Sequence, residues 1–127
     1  MKEKYINAVL VDVDEGTFRP IRVRNNINAF YEALKCDLID IVCRDFHGSK
    51  LDIICDDEGL LDEEKKKKPA IVGLYEGKPV EIIVGNVLLT NHDEDGETTS
   101  LTEKDYANLA KCLARFANGQ TGFACEI

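Results

Sequence analysis

The stretch Glu81-Ile-Ile-Val-Gly-Asn-Val-Leu-Leu-Thr90 is the most apolar part of this chain. Its apolar residues are nearly continuous rather than alternating, which is typical of a strand that is covered on both faces. We therefore expect it to lie centrally in a β-sheet. Gly85 interrupts the run, and a glycine inside a strand indicates a bulge or the close approach of another group.

A predicted hairpin opens the chain. Residues 6–12 and 19–24 are rich in β-branched side chains and are joined by the turn signal Asp14-Glu-Gly16. In the second of these strands Arg22 and Arg24 alternate with apolar residues. Since successive side chains of a strand point to opposite faces, we expect both arginines on one face.

A second hairpin and two helices complete the predicted elements. Residues 38–44 and 51–56 predict the hairpin. Residues 29–35 carry apolar side chains at helical spacing and predict a short helix. Residues 101–117 predict a longer one, which begins after a capping box formed by Ser100 and the glutamate three positions later.

These elements predict a single α+β domain over residues 1–127. Its sheet is expected to be mostly antiparallel, with a short N-terminal helix and a longer C-terminal helix. Residues 57–69 contain four consecutive lysines and predict a solvated, charged loop, with a phosphate grip as the alternative. Residues 118–127 predict an irregular tail.

Composition narrows the functional classes. The chain has 127 residues and a net charge of −8, which argues against binding along DNA or RNA backbones. No apolar run approaches the roughly 20 residues of a membrane helix, and the N-terminus lacks the apolar core of a secretory signal. We expect a cytoplasmic protein.

The five cysteines predict reduced thiols. They are scattered along the chain without a Cys-x-x-Cys pair, so the paired thiolates of common zinc sites are missing and we expect no metal. We expect Cys43 and Cys55 to pack as small apolar residues within strands. The cysteines are Cys36, Cys43, Cys55, Cys112 and Cys125.

The motifs that suggest catalysis or metal binding are weak. Asn91-His-Asp-Glu-Asp-Gly96 begins like a calcium-binding EF-hand loop, but Thr102 stands where the bidentate acid belongs, so a solvated acidic loop is the better interpretation. A metal-dependent phosphodiesterase or nuclease could be built on the turn residues Asp12, Asp14, Glu76 and Lys78, although nothing in the sequence indicates that the carboxylates converge. We predict no catalytic residues and no cofactor.

Cationic side chains suggest an anionic ligand instead. Arg22 and Arg24 form one stripe, and planar guanidinium groups suit phosphate. Lys104, Lys111 and Arg115 would form a second stripe on the predicted C-terminal helix. The alternative for both stripes is an ordinary solvated face.

The order of these elements resembles a family of small phage-associated α+β proteins, and within it the anti-Thoeris sponge proteins (Thoeris anti-defence protein one). The resemblance covers residues 6–117. It is carried by the hairpins at 12–24 and 39–56, by Ile82-Ile-Val-Gly-Asn86, and by Asp95-Gly-Glu followed by Ser100-Leu-Thr102 before the last helix.

The resemblance implies a protein that blocks a bacterial immune system from within the host cytoplasm. Such proteins bind a cyclic ADP-ribose-type signalling nucleotide tightly and do not cleave it. They are oligomers built on dimers, with ligand pockets between protomers, and some also bind cyclic oligonucleotides between subunits.

The resemblance also suggests roles for particular residues. Phe18 or Tyr75 would stack on adenine, Asn86 would offer an amide, and Arg22 and Arg24 would bind the pyrophosphate. A second anion site would use Lys104, Lys111 and Arg115. Two other functions stay open: an acidic phage inhibitor of a host protein, and a cyclic-nucleotide phosphodiesterase.

Overall fold

The computed structural model describes residues 3–57 and 68–127. These residues are 55% strand and 14% helix. In chain order the elements are β1 (Tyr5–Asp12), β2 (Thr17–Arg24), α1 (Ile27–Leu34), β3 (Ile39–Phe46), β4 (Ser49–Asp56), β5 (Pro69–Tyr75), β6 (Lys78–Val84), β7 (Val87–His92), β8 (Thr98–Thr99), α2 (Glu103–Ala110), β9 (Leu113–Arg115) and β10 (Thr121–Glu126).

The strands form one mixed sheet in the order β2-β1-β7-β4-β3-β10-β5-β6, with β8 paired to β7 and β9 to β10. Neighbours are antiparallel except for the parallel pair β10 and β5. The sheet is curled, because Phe18 on the edge strand β2 contacts Phe123 on β10 with ring centroids 5.2 Å apart. The Gln120 side chain also donates to the Val13 carbonyl at 2.6 Å.

Side-chain alternation gives this sheet two apolar faces. The concave side, called here the inner face, carries Val9, Ile53 and Leu89 and is covered by Leu109 of α2. The opposite side, the outer face, carries a smaller cluster that packs against α1. The outer cluster consists of Ile6, Ala8, Leu10, Phe30, Leu34, Ile54 and Leu88.

The predicted α+β class was wrong, because the fold is mostly β-sheet with two short helices. Residues 101–117 do not form one long helix. The helix begins after Thr102, which forms a capping box with Asp105, and it ends at Ala110. Residues Leu113–Arg115 form β9 instead, because their backbone groups pair with those of β10. The helical pattern in the sequence does not reveal this pairing.

The same strand pairing overturns the predicted tail. Residues Thr121–Glu126 are not irregular but form β10, which lies between β3 and β5. A parallel partner 52 residues away in the chain leaves no local sequence signal, so the strand was missed. Most of the predicted 57–69 loop, residues 58–67, lies outside the described residues, and Pro69 already belongs to β5.

The apolar stretch 81–90 is two strands rather than one. Gly85 has φ of 86°, a left-handed value that suits glycine, and it separates β6 from β7. β7 lies between β1 and β4 as expected for a central strand, and Leu88 and Leu89 are fully buried. β6 is an edge strand on which Ile82 is 51% exposed.

Candidate functional site

The inner side of β2 carries an exposed row of side chains. Phe18, Pro20, Arg22 and Arg24 alternate with residues that pair with the outer cluster, so these four share one face. The prediction that Arg22 and Arg24 lie together is confirmed. β2 is an edge strand, and all four side chains are exposed.

Tyr5 joins the two arginines. The guanidinium carbons of Arg22 and Arg24 lie 5.2 and 5.6 Å from the centroid of its ring, which is a cation–π geometry. Arg24 is directly opposite Tyr5 in the β1–β2 register. Tyr5 was not among the predicted site residues, although extending the hairpin register by one residue places it beside the arginines.

Phe18 occupies the other end of the row, in an apolar groove between β2 and α2. The groove has a volume of about 160 Å³. Phe18 is 38% exposed, so part of its ring is open to a ligand. The groove is lined by Val9, Phe18, Arg19, Pro20, Tyr106, Leu109, Ala110, Leu113 and Phe123.

This row places aromatic and cationic side chains on one surface. Four residues of strand separate Phe18 from Arg22, which corresponds to about 13 Å along β2. An open hollow beside Arg24 extends the row, and it is lined by Glu3, Lys4, Asn25 and Asn26 as well as Arg24. We call this surface, from Phe18 to Arg24 with Tyr5, the β2 face.

Asn86 and Tyr75 do not belong to the β2 face. Asn86 is buried, and its side-chain oxygen accepts a hydrogen bond from the backbone N–H of Val13 at 2.8 Å. It lines a separate small cavity with Leu34 and Lys35 of the α1 end. Tyr75 is 57% exposed at the turn into the opposite edge strand, β6.

The predicted second stripe of cations does not form on a helix. Lys104 is on α2, Lys111 follows the end of that helix, and Arg115 is the last residue of β9. Because the helix ends at Ala110, the spacing of seven and four residues no longer places these exposed side chains on one face.

The turn acids also lie apart. Asp12 and Asp14 flank the β1–β2 turn, where the Asp12 carboxylate accepts from the Glu15 backbone N–H at 3.1 Å. Glu76 lies in the β5–β6 turn at the other end of the strand order. The motif 91–96 forms a tight hairpin in which the Asp93 side chain accepts from two backbone N–H groups.

The start of α2 holds a densely hydrogen-bonded carboxylate. Asp105 accepts from Ser49 at 2.8 Å, from Asn91 at 2.7 Å and from the Thr102 backbone N–H at 2.9 Å. Burial alone would raise the Asp105 pKa, but these hydrogen bonds outweigh it and hold the pKa below its ordinary value. We call this group the Asp105 network, and it ties α2 to β4 and β7.

None of the five cysteines, all of which lie in the described residues, forms a disulfide. Burial raises the pKa of Cys55 to about 11 and that of Cys125 to about 12, so both are unreactive. Cys55 is buried as predicted, whereas Cys43 is exposed on the outer face of β3 and its predicted burial was wrong.

Each helix in residues 3–57 and 68–127 has eight residues, and neither is long and apolar enough to cross a bilayer. No curated protein and no solved structure matches the chain. Residues 6–116 match the model of a family described as a domain of unknown function (DUF3846), and the chain therefore belongs to this family.

Proposed function

We propose that the β2 face binds a phosphorylated nucleotide and holds it without breaking bonds. The observation that carries the proposal is the shared face of Phe18, Arg22 and Arg24 on one exposed strand. An aromatic groove for a base lies at one end, and two arginines for phosphates follow along the strand, Arg22 at about 13 Å and Arg24 at about 20 Å from Phe18.

Local charge supports this proposal. Arg22, Arg24 and Lys4 concentrate positive charge on a chain whose net charge is −8. Tyr5 holds both guanidinium groups over its ring, which limits their freedom before a ligand arrives. Preorganised donors bind more tightly because less entropy is lost on association.

The energetics allow tight binding. A nanomolar affinity corresponds to about 12 kcal/mol. Stacking on Phe18 contributes about 1–3 kcal/mol, and each charge-assisted hydrogen bond contributes about 1.5–3 kcal/mol. Burial of the ligand by a second protomer would supply the remainder.

The resemblance described above suggests which ligand is bound. A cyclic ADP-ribose-type signalling molecule contains one adenine and two phosphates, and we propose Phe18 as the partner of the adenine and the two arginines as the partners of the phosphates. Capture of this signal would make the chain a phage anti-defence protein that blocks Thoeris immunity in the host cytoplasm. In this proposal Phe18 stacks on the adenine, and Arg22 and Arg24 bind the phosphates, as the resemblance suggests. Tyr5 is added to the binding site because it contacts both arginines. Asn86 and Tyr75 are not part of the site, because they do not belong to the β2 face.

Oligomers are part of the proposal. The other edge strand, β6, exposes Val80 and Ile82, at 59% and 51%, which is apolar surface that a second copy would cover. A homodimer or higher oligomer would also deepen the shallow β2 face. Mass measurement under native conditions, with and without nucleotide, tests this: a monomer in both conditions contradicts it.

The direct test is a release assay. The full chain is incubated with cyclic ADP-ribose isomers, separated from free ligand and heated, and the released material is identified. Intact nucleotide supports sequestration. A degraded nucleotide, especially if EDTA prevents the loss, supports the phosphodiesterase alternative, and no uptake of any isomer rejects nucleotide binding.

Arg22→Ala is the sharpest variant. We expect ligand affinity to fall about 10- to 100-fold, because one charge-assisted phosphate contact is lost. Stability should change by no more than about 1 kcal/mol, since Arg22 is exposed and loses only its contact with Tyr5.

Arg115→Ala is the matched control for this variant. Arg115 is an exposed arginine at the end of β9, and it belongs neither to the β2 face nor to the residues that line the Phe18 groove. Affinity should stay near the wild-type value. An equal loss in both variants would show a general charge effect, and unfolding of Arg22→Ala without a selective affinity loss would show a structural role.

The net charge of −8 favours a second candidate, an acidic inhibitor that binds a basic host protein. Such an inhibitor would enrich one basic protein from host lysate and would take up no nucleotide. Arg22→Ala would then leave partner binding unchanged or improve it.

A further inference from the structure

Three potential metal ligands from neighbouring strands meet on the outer face. Cys43 of β3 is directly opposite Asp52 of β4, and Asp52 is directly opposite Thr90 of β7. His92 follows two residues after Thr90, so it lies on the same face. The Cys43 sulfur, an Asp52 oxygen and a His92 nitrogen all lie within 4.8 Å of one another.

Hydrogen bonding accounts for only part of this arrangement. Burial raises the Asp52 pKa, and His92, whose Nδ1 atom lies 3.2 Å from the Asp52 carboxylate, lowers it in part, but this Nδ1 atom is buried without a well-aligned hydrogen bond among the described residues. The Thr90 hydroxyl oxygen, in the same register row, is also buried without a partner among these residues. An unpaired buried polar atom is destabilising, and an absent ion is one standard explanation for it.

We infer that Cys43, Asp52 and His92 bind a zinc ion. Thiolate, carboxylate and imidazole are the donors that Zn²⁺ takes in proteins, whereas Ca²⁺ and Mg²⁺ prefer oxygen donors alone. Three protein ligands leave the fourth tetrahedral position for water. The absence of paired cysteines in the sequence does not argue against such a site, because its donors are mixed and come from three strands.

The geometry requires only a small adjustment. Zinc bond lengths of about 2.0–2.3 Å place neighbouring donor atoms about 3.3–3.7 Å apart in a tetrahedron, so the cluster contracts by about 1 Å on binding. Cys43 is exposed, and its side chain is free to change rotamer. Burial raises the pKa of Asp52 and of the Cys43 thiol, and a bound dication would favour both anions.

The position of the site limits its role. Arg22 and Arg24 belong to the inner face, whereas this cluster lies on the outer face. A zinc ion here would join β3, β4 and β7 and would not contact a ligand on the β2 face. The inference is therefore independent of the proposed nucleotide binding.

Cobalt is the first probe. Co²⁺ is added to the reduced full chain, and a thiolate-to-cobalt charge-transfer band is expected at one ion per chain, together with the visible bands of tetrahedral Co²⁺. Added zinc should displace the cobalt and so remove both the charge-transfer band and the visible bands. Cys43→Ser should abolish the charge-transfer band, and His92→Asn should weaken zinc binding at least tenfold.

Matched controls exist for both variants. Cys112→Ser removes another partly exposed thiol, and His47→Asn changes the other histidine at a position with φ of 55°, which asparagine tolerates. Both controls should bind as the wild type does. A band that survives Cys43→Ser, or that is lost equally in the controls, overturns the inference.

Alkylation of the wild-type chain gives a test that needs no variant. Exposed Cys43 should react with iodoacetamide when EDTA is present and should be protected when zinc is present, as peptide mapping by mass spectrometry would show. Cys36 and Cys112 serve as internal references. Absence of a cobalt charge-transfer band together with unchanged Cys43 reactivity would exclude the site.

Discussion

Asp105 and Asp52 are two aspartates with little solvent exposure, yet their pKa values are shifted in opposite directions. Asp105 accepts three hydrogen bonds from Ser49, Asn91 and Thr102, and these hold its pKa below the ordinary value despite burial. Asp52 has one imperfect contact, with His92, and burial raises its pKa. The Asp105 carboxylate therefore stabilises the fold through its hydrogen bonds, whereas the Asp52 carboxylate has room to interact with a further positive charge, such as a metal ion.

The largest expected effect is that of Asp105→Asn. The amide group cannot accept all the hydrogen bonds that the carboxylate accepts, so the buried hydroxyl of Ser49 or a part-buried donor on Asn91 or Thr102 loses its partner. We expect a loss of about 2–3 kcal/mol in the free energy of unfolding, measured by urea denaturation. A loss below about 0.5 kcal/mol would mean that the Asp105 network is not a stabilising centre.

The pH dependence of stability tests the same residue without a change of shape. The Asp105 pKa is lower in the folded chain than its ordinary value of 3.8, so the unfolded chain binds more protons between the two values. This contribution is complete above pH 3.8 and is lost as pH falls through the folded pKa.

Urea denaturation between pH 7 and pH 2 measures this contribution. Asp105→Asn, which cannot titrate at this position, should lose less stability over the acid range than the wild type. Parallel pH curves for the two proteins would contradict the assigned pKa direction.

The smallest expected effect is that of Asp52→Asn in the presence of EDTA. Removal of a poorly compensated charge offsets the lost contact with His92, so stability should change by no more than about 0.5 kcal/mol or should increase slightly. A loss of unfolding free energy as large as that of Asp105→Asn would show that Asp52 also stabilises the fold. The two aspartates would then not differ in role.

The sequence predicted the local strands well. The hairpins at Tyr5–Arg24 and Ile39–Asp56 were confirmed, as was the shared face of Arg22 and Arg24. These features depend on residues close in the chain, where alternation and turn residues act directly. The register also implied Tyr5 beside the arginines, but that inference needed the exact pairing of the hairpin.

The C-terminal third was predicted poorly. Leu113 and Phe116 continue a helical pattern, yet residues 113–115 pair with β10, and β10 in turn pairs in parallel with β5. The local sequence of residues 113–115 is compatible both with the end of a helix and with a short strand, and the two conformations have similar intrinsic free energies. Pairing with a distant strand decided between them, and such pairing is invisible to a local pattern.

By itself, the sequence determined the two hairpins at Tyr5–Arg24 and Ile39–Asp56, the helix α1, the acidic charge and the row of arginines, because each follows from neighbouring residues. Only the tertiary structure decided that β7 brings His92 beside Asp52 and Cys43. It also decided that the Asn86 side chain accepts a hydrogen bond from the Val13 backbone, and that Phe18 borders an apolar groove. The reason is physical: these contacts join residues on strands whose order in the sheet is set by burial of the whole core.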